Sequence, residues 1–408
     1  MPSSQIGSQE EEIERIYFDN SATTQVDSRV LEVMQPYFSR EYGNASSLHS
    51  FGRYAYDAME AARSQVADSI NAAPRDLIFT SSGTESDNLA LQGAALAYSG
   101  RGKHIITSAI EHHAVLRTCQ FLEGQGFRVT YLPVDEEGFV SEETLKESIT
   151  SETILVSIML ANNEIGTIQP IRELSEITKD GGALFMTDAV QAMTKVPVDV
   201  EKLNVDLLTM SAHKFHGPKG IGALFVRKGV KLRPLIHGGG HERGLRSSTE
   251  NIPGMVGMGL AAELGVAEME ESVSRMRRIR DRLIEGTLAA VPRAHLNGPR
   301  DAGRLCNNAH FRFDFIEGEG MVLLLDMKDI AASTGSACST KSLEPSHVLK
   351  ALGLRHEQCH GSLRLSLSKF STMEEAEIFL ETIPYVIDKL RQMSPLKEGV
   401  TYDVPTIH

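Results

Sequence analysis

No long basic run occurs in this 408-residue chain, whose formal net charge is −13. Nucleic acids and anionic membrane surfaces attract clustered Lys and Arg, so neither is expected as a partner, and small molecules and proteins remain. No stretch approaches the length of a membrane-spanning helix, and the start, MPSSQIGSQEEEIER, lacks the cationic end and apolar run of a secretory signal. A cytoplasmic protein is the expectation. Cysteine is scarce as well. Cys119, Cys306, Cys338 and Cys359 are widely spaced and form no CxxC pair, which suits reduced thiols better than a disulfide framework. Internal repeats and low-complexity tracts are missing too.

The chain does have length and apolar content enough for one large domain and a smaller one. Apolar runs (DLIFT, KHIITS, RVTYLPV, TILVSIM, ALFMTDA, VDLLTM and GALFVR) alternate with helix-like stretches such as Ala114–Gln125 and IRELSEITKDGG. Strands and helices alternating at this spacing predict an α/β fold with a mostly parallel sheet covered on both faces. After Asn251 a long helical stretch begins at MVGMGLAAELG, and RLCNNAHFRF, KDIAAST and GSLRLSLS then read as strands of a smaller α+β unit, with EGMVLLLDM and the segment from Met373 as its helices. The expected division is a large domain over 16–251, a linking helix and small domain over 252–392, and polar tails at 1–15 and 393–408. The strand candidate IYFDNSATT can pack with the small domain or with a partner subunit.

Four segments carry chemistry. In TMSAHKFHGPKGIGAL, Lys214 falls between two apolar runs that read as parallel strands, hence at a strand end. A lysine desolvated there becomes an amine able to form a Schiff base with an aldehyde, although a plain connecting loop would give the same pattern. In FTSSGTESDN, Gly83 and Thr84 open a helix whose free N–H groups suit a phosphate, or simply an ordinary capped start. Asp188 in ALFMTDAVQA ends a buried strand, with Gln191 three residues on. Its carboxylate could hold a protonated ring nitrogen or cap the next helix. His112 and His113 follow another strand, where imidazole can stack on a flat ring or move protons, or be structural. A phosphate cradle, an acid for a pyridinium, a histidine and a Schiff-base lysine are together the parts that pyridoxal 5'-phosphate requires.

With these motifs the chain resembles the cysteine desulfurases of the class V aminotransferase group, within the fold type I pyridoxal phosphate enzymes. The resemblance runs from YFDNSATT to SLRLSLSKF through SGTESDN, EHHAV, NNEIGTIQPI, TDAVQA, SAHKFHGPKGIGAL, HGGGHERGLRSST and STGSACSTKSLEPSHVLKALG. The last segment is similar to the subgroup with a long cysteine loop. The chain departs from the usual pattern with Ala45 in GNASS where proline is usual, Gly83 where some members have alanine, and an acidic tail before the first strand. The resemblance implies Lys214 as covalent anchor, Asp188 as partner of the ring nitrogen, and His112 as the stacking acid/base. It implies Thr84, Ser211 and His213 as phosphate ligands and Gln191 at the ring hydroxyl. Thr249 would reach the neighbouring subunit's phosphate, which implies a homodimer. Asn163 and Arg364 would hold the substrate carboxylate.

Cys338 lies in STGSACSTKSLEP, a run of small polar residues that suits an exposed loop. The implied activity is conversion of L-cysteine to alanine, with the sulfur carried on Cys338 as a persulfide to a protein acceptor such as an iron-sulfur scaffold. A selenocysteine lyase, another class V aminotransferase, and a non-catalytic scaffold holding sulfur or an iron-sulfur cluster through Cys338 are the alternatives. Cys119 shares the helical phase of Leu116 and Leu122, and Cys306 starts a strand, so both are expected in cores. His356, Cys359 and His360 superficially resemble metal ligands, but no fourth ligand is apparent and no resident metal is expected.

Overall fold

A computed structural model of the chain describes residues 15–335 and 345–394. Its strands are β1 (Ile16–Tyr17), β2 (Leu77–Thr80), β3 (His104–Ser108), β4 (Arg128–Leu132), β5 (Thr153–Ser157), β6 (Leu184–Asp188), β7 (Leu207–Ser211), β8 (Gly222–Val226), β9 (Ala294–Leu296), β10 (Asn308–Phe313), β11 (Ile330–Ala331) and β12 (Ser362–Ser366). Seven of them form one sheet in the order β2-β8-β7-β6-β5-β3-β4. Along these strands alternate residues feed two cores. Phe79, Ile106, Val156, Phe185 and Leu208 meet the helices Ser50–Asp68, Ile171–Asp180 and Ile252–Ala267 on one face. Ile78, Ile105, Leu155, Met186 and Leu207 meet Gly83–Tyr98 and His113–Gly124 on the other. Burial on both faces explains why the strands read as continuous apolar runs.

The sheet is parallel from β7 through β4, but β8 runs antiparallel to both β2 and β7. The expectation that VDLLTM and GIGALFV are two parallel strands is therefore corrected. The segment between Ser211 and Gly222 is too short for a crossover helix, so the chain simply turns back.

A further core belongs to the antiparallel sheet β12-β10-β9 and the helices Met269–Ala290, Gly318–Asp326 and Met373–Met393. The N-terminal strand joins it. β1 pairs in parallel with β11, and Ile16 and Phe18 lie in this core, which settles the placement the sequence left open. The long stretch after Asn251 is two helices, broken at Glu268. Glu268 accepts from Lys369 Nζ at 2.9 Å and pairs with Arg29 at 2.7 Å, so the break is pinned by charge. Met255, Met258 and Ala262 of the first helix belong to the large core, whereas Met276, Ile279 and Leu283 of the second belong to the C-terminal one.

Phe18 is fully buried, edge-on to Phe379 with ring centroids 6.2 Å apart. It ties the N-terminal segment to the last helix. Phe18→Ala should lower stability by about 3–5 kcal/mol, read as a lower denaturant midpoint.

Candidate active site

The carboxyl ends of β6 and β7 and the turn after β3 open onto one cavity of about 370 Å³, where an open α/β sheet is expected to bind its ligand. Lys214 enters it from the single helical turn Ala212–Lys214 that follows β7. Its Nζ donates to the backbone carbonyls of Ser21 at 2.5 Å and Ala22 at 2.7 Å. Those carbonyls are fixed because Asn20 N–H donates to Ser366 O at 3.1 Å and Thr24 N–H to His213 O at 2.9 Å. Burial pushes the amine down to about 8, and the charges of Arg364 and Lys195 push the same way.

Asp188 ends β6 and is buried. Burial pushes its carboxyl up to about 6, against the stabilising N–H of Val190, which donates to Oδ1 at 2.8 Å. Two further carboxylates surround it. Asp87 accepts from Thr209 Oγ1 at 2.8 Å, and burial with the charge of Asp188 holds it well above the usual carboxylate range. Glu111 accepts from Ser108 Oγ at 2.6 Å and Met159 N at 2.9 Å, and burial pushes it up to about 8. A cation placed against Asp188 would relieve the cost of burying its charge.

Across the cavity the helix Gly83–Tyr98 begins. Ser82 caps it by accepting from Glu85 N–H at 3.1 Å, and no described residue accepts from the N–H groups of Gly83 or Thr84. A Cβ at Gly83 would stand 2.8 Å from Val190 Cγ2, so glycine lets the helix start come against the turn after Asp188. Ser211 and His213 line the same end. His213 Nδ1 lies 3.1 Å from Thr23 Oγ1, and burial first, then the neighbouring Lys214, pushes its ring down to about 4.

His112 is the N-cap of the helix His113–Gly124. Its Nδ1 accepts from Ala114 N–H at 3.1 Å, so the neutral ring carries its proton on Nε2. Burial, with Lys214 adding to it, pushes this histidine down to about 4, so it is neutral at physiological pH. Gln191 donates to Ser21 O at 2.9 Å while its buried Oε1 has no partner. Arg364 rises from β12, buried, with its Nε unpartnered. Asn163, which also lines the cavity, gives its backbone carbonyl to Arg364 Nη1 at 3.1 Å.

The structure thus gathers Gly83, Thr84, His112, Asn163, Asp188, Gln191, Ser211, His213, Lys214 and Arg364 around one space. Thr249 is not among them. It is exposed, in a separate surface cleft with Ser81, Gly220 and Asn251. Cys338 lies outside the described residues. Cys119, Cys306 and Cys359 are buried free thiols, and burial raises them to about 12, 11 and 11. His356 and His360 face each other at 3.1 Å between Nδ1 and Nε2, and among the described residues no group of three or more His, Cys, Asp or Glu could hold a metal.

Sequence reasoning missed the carbonyls of Ser21 and Ala22, and the buried pair Asp87 and Glu111. An acid two residues ahead of the apolar run LALQGAALA, and one ahead of the His pair, were the available signals. The donor set suits pyridoxal phosphate. Free helix-terminal N–H groups match a phosphate, a costly buried carboxylate matches a protonated ring nitrogen, and the orphaned Gln191 Oε1 matches a hydroxyl donor. Because only the neutral amine attacks an aldehyde, uptake of pyridoxal phosphate by the apoprotein should accelerate as pH rises through about 8, the value to which burial lowers Lys214. Stopped-flow absorbance checks this. An inflection at the ordinary lysine value would mean that Lys214 is solvated.

Comparison with known proteins agrees. The family described as aminotransferase class-V matches residues 16–379. A cysteine desulfurase IscS of Methanosarcina thermophila is 56% identical over 381 residues, covering 93% of this chain and 94% of that protein. Among solved structures, a NifS-like protein is 43% identical with a TM-score of 0.87, covering 92% of this chain and 100% of that one. A structure of SspA in complex with cysteine is 36% identical with a TM-score of 0.77, covering 88% of this chain and 100% of that one. The chain belongs to the class V aminotransferase family, among its pyridoxal phosphate-dependent cysteine desulfurases.

Proposed function

We propose that Lys214, His112 and Cys338 carry out the desulfuration of L-cysteine in this cavity, and that its remaining polar groups hold cofactor and substrate. The observation that carries this reading is the convergence of a desolvated lysine amine, a buried carboxylate and a helix N-terminus whose first N–H groups no described residue pairs on one space. Bound there, pyridoxal phosphate supplies an aldehyde for an amine and a ring that takes up electrons released at the substrate's Cα.

The chain's own groups do the rest. Gly83 and Thr84 N–H, Ser211 and His213 bind the phosphate, where the helix dipole adds favourable potential. Asp188 would pair with the ring nitrogen, and Gln191 Oε1 would accept from the ring hydroxyl. Lys214 would hold the cofactor covalently and, as a free amine, would move a proton at Nζ. Its near-neutral proton affinity suits both directions of transfer. His112 would cover the ring and would offer the Nε2 proton. Arg364 and Asn163 hold the substrate carboxylate.

Sulfur transfer needs a thiolate, and burial keeps the three described cysteines protonated. Cys338 is the remaining candidate. Its thiolate attacks the substrate sulfur, an S–S bond forms as the Cβ–S bond breaks, and the electron pair stays on carbon, which takes up protons to give alanine. The persulfide then passes to a protein acceptor such as an iron-sulfur scaffold.

Thr249 stands away from its own cavity, and the segment between Phe38 and Tyr54 exposes Phe38, Tyr42, Leu48 and Tyr54. Both features support a homodimer in which Thr249 completes the neighbour's phosphate site. Among the described residues no helix is long and apolar enough to cross a membrane.

Cys338→Ser should retain the cofactor but lose alanine and sulfide production by at least about a hundredfold. Mass spectrometry of the wild type after cysteine addition should find one extra sulfur on the Cys338 peptide. Full activity in the variant, or a persulfide on Cys119, Cys306 or Cys359 alone, would contradict the assignment. Sedimentation at micromolar concentration should give twice the 44.7 kDa chain mass, and Thr249→Val should keep that mass while losing cofactor faster on dialysis. A fully active monomer would refute the shared site.

A further inference from the structure

Arg364 has five N–H groups, and the structure accounts for three of them. Nη2 donates to Asp19 Oδ1 at 2.7 Å, and Nη1 donates to Asn163 O at 3.1 Å and to Gly335 O at 3.3 Å. The Nε–H and the second Nη2–H remain, and Nε is buried without a partner. A guanidinium that is 3% exposed carries a large desolvation cost, so the unfilled donors call for an anionic acceptor. Two N–H groups on adjacent nitrogens are what a carboxylate takes up in a two-bond grip.

Among the described residues Asp19 is the only acid paired with this cation, and it does not line the cavity. Its backbone is fixed. Asp19 bridges to Ser366, two residues along β12 from Arg364, while Ser366 N–H donates to Phe18 O at 2.7 Å and Asn20 Nδ2 donates to Ser366 O at 2.9 Å. Both ends of the Asp19–Arg364 pair are therefore mounted on the same strand. The two carbonyls on Nη1 alone leave the far side of the guanidinium unheld.

We propose that Asp19 is a positioning residue for the substrate, fixing the plane of the Arg364 guanidinium so that Nε and Nη2 together present a two-bond clamp to the amino acid's carboxylate. The inference rests on the reading of Arg364 as that clamp. Asp19 does not touch the substrate, so it acts on the binding of any ligand that carries the carboxylate and leaves the later chemistry to the groups around Lys214.

The test is a double-mutant cycle on the holoenzyme, reading KM and kcat for L-cysteine and, at equilibrium, calorimetric binding of L-alanine, which carries the same carboxylate. Asp19→Ala should raise KM and weaken L-alanine binding by about tenfold, with kcat within about threefold of wild type. Asp19→Asn keeps an oxygen acceptor for Nη2 and should lose only about threefold. Arg364→Ala should raise KM further. In that background Asp19→Ala should change nothing more, because the group it orients is gone. A wild-type KM in Asp19→Ala, or an equal effect with Arg364 absent, overturns the proposal. An unchanged KM in Arg364→Ala overturns instead the reading of Arg364. If Asp19→Ala does not fold, Asp19→Asn carries the same comparison, with the threefold effect present beside Arg364 and absent without it.

Discussion

Taking the Lys214 amine out of water penalises its charged form more than its neutral one, and the rest of the site is arranged around keeping it there. The amine hangs from the turn between two antiparallel strands and rests on two carbonyls of the N-terminal segment. Those carbonyls satisfy its hydrogens without neutralising its charge. The charges of Arg364 and Lys195 lower its proton affinity further, and those of Asp19 and Asp188 partly restore it. An amine in that balance is available to an aldehyde at neutral pH, whereas an exposed lysine is not.

The same segment, Ile16 to Thr24, serves both cores. Its strand β1 pairs with β11 and Phe18 is packed beneath it, yet its next residues reach across to Lys214 and His213. Asp19 stands at the joint between these duties. A stretch of about nine residues therefore links Lys214 in the large core to Arg364 on β12.

The strands of the large sheet were legible because burial on both faces writes them as apolar runs. β6 and β7 appeared where the runs lie, and Asp188 and Lys214 fell at their ends. The direction of β8 was not legible, since an apolar run does not record which way it pairs. The split at Glu268 was hidden because helix-forming residues continue through it, and only a tertiary ion pair with Arg29 and Lys369 stops the first helix. Asp19, Asp87 and Glu111 went unnoticed for a related reason. Their significance comes from what they face across the fold, and sequence spacing carries no trace of it. Thr249 was noticed through resemblance alone, and the geometry places it away from its own chain's cavity.

Lys195 offers the sharpest contrast. It is also buried, burial also lowers it to about 8, and its Nζ donates to Lys214 O at 3.0 Å. It lines a different and smaller cleft, with no phosphate cradle and no Asp188. Desolvation alone would make either lysine reactive, so position decides. Reduction of the holoenzyme with borohydride, followed by peptide mass spectrometry, measures that directly. The account requires the cofactor's added mass on the peptide carrying Lys214 and none on Lys195. Label on Lys195, or on neither, would contradict it.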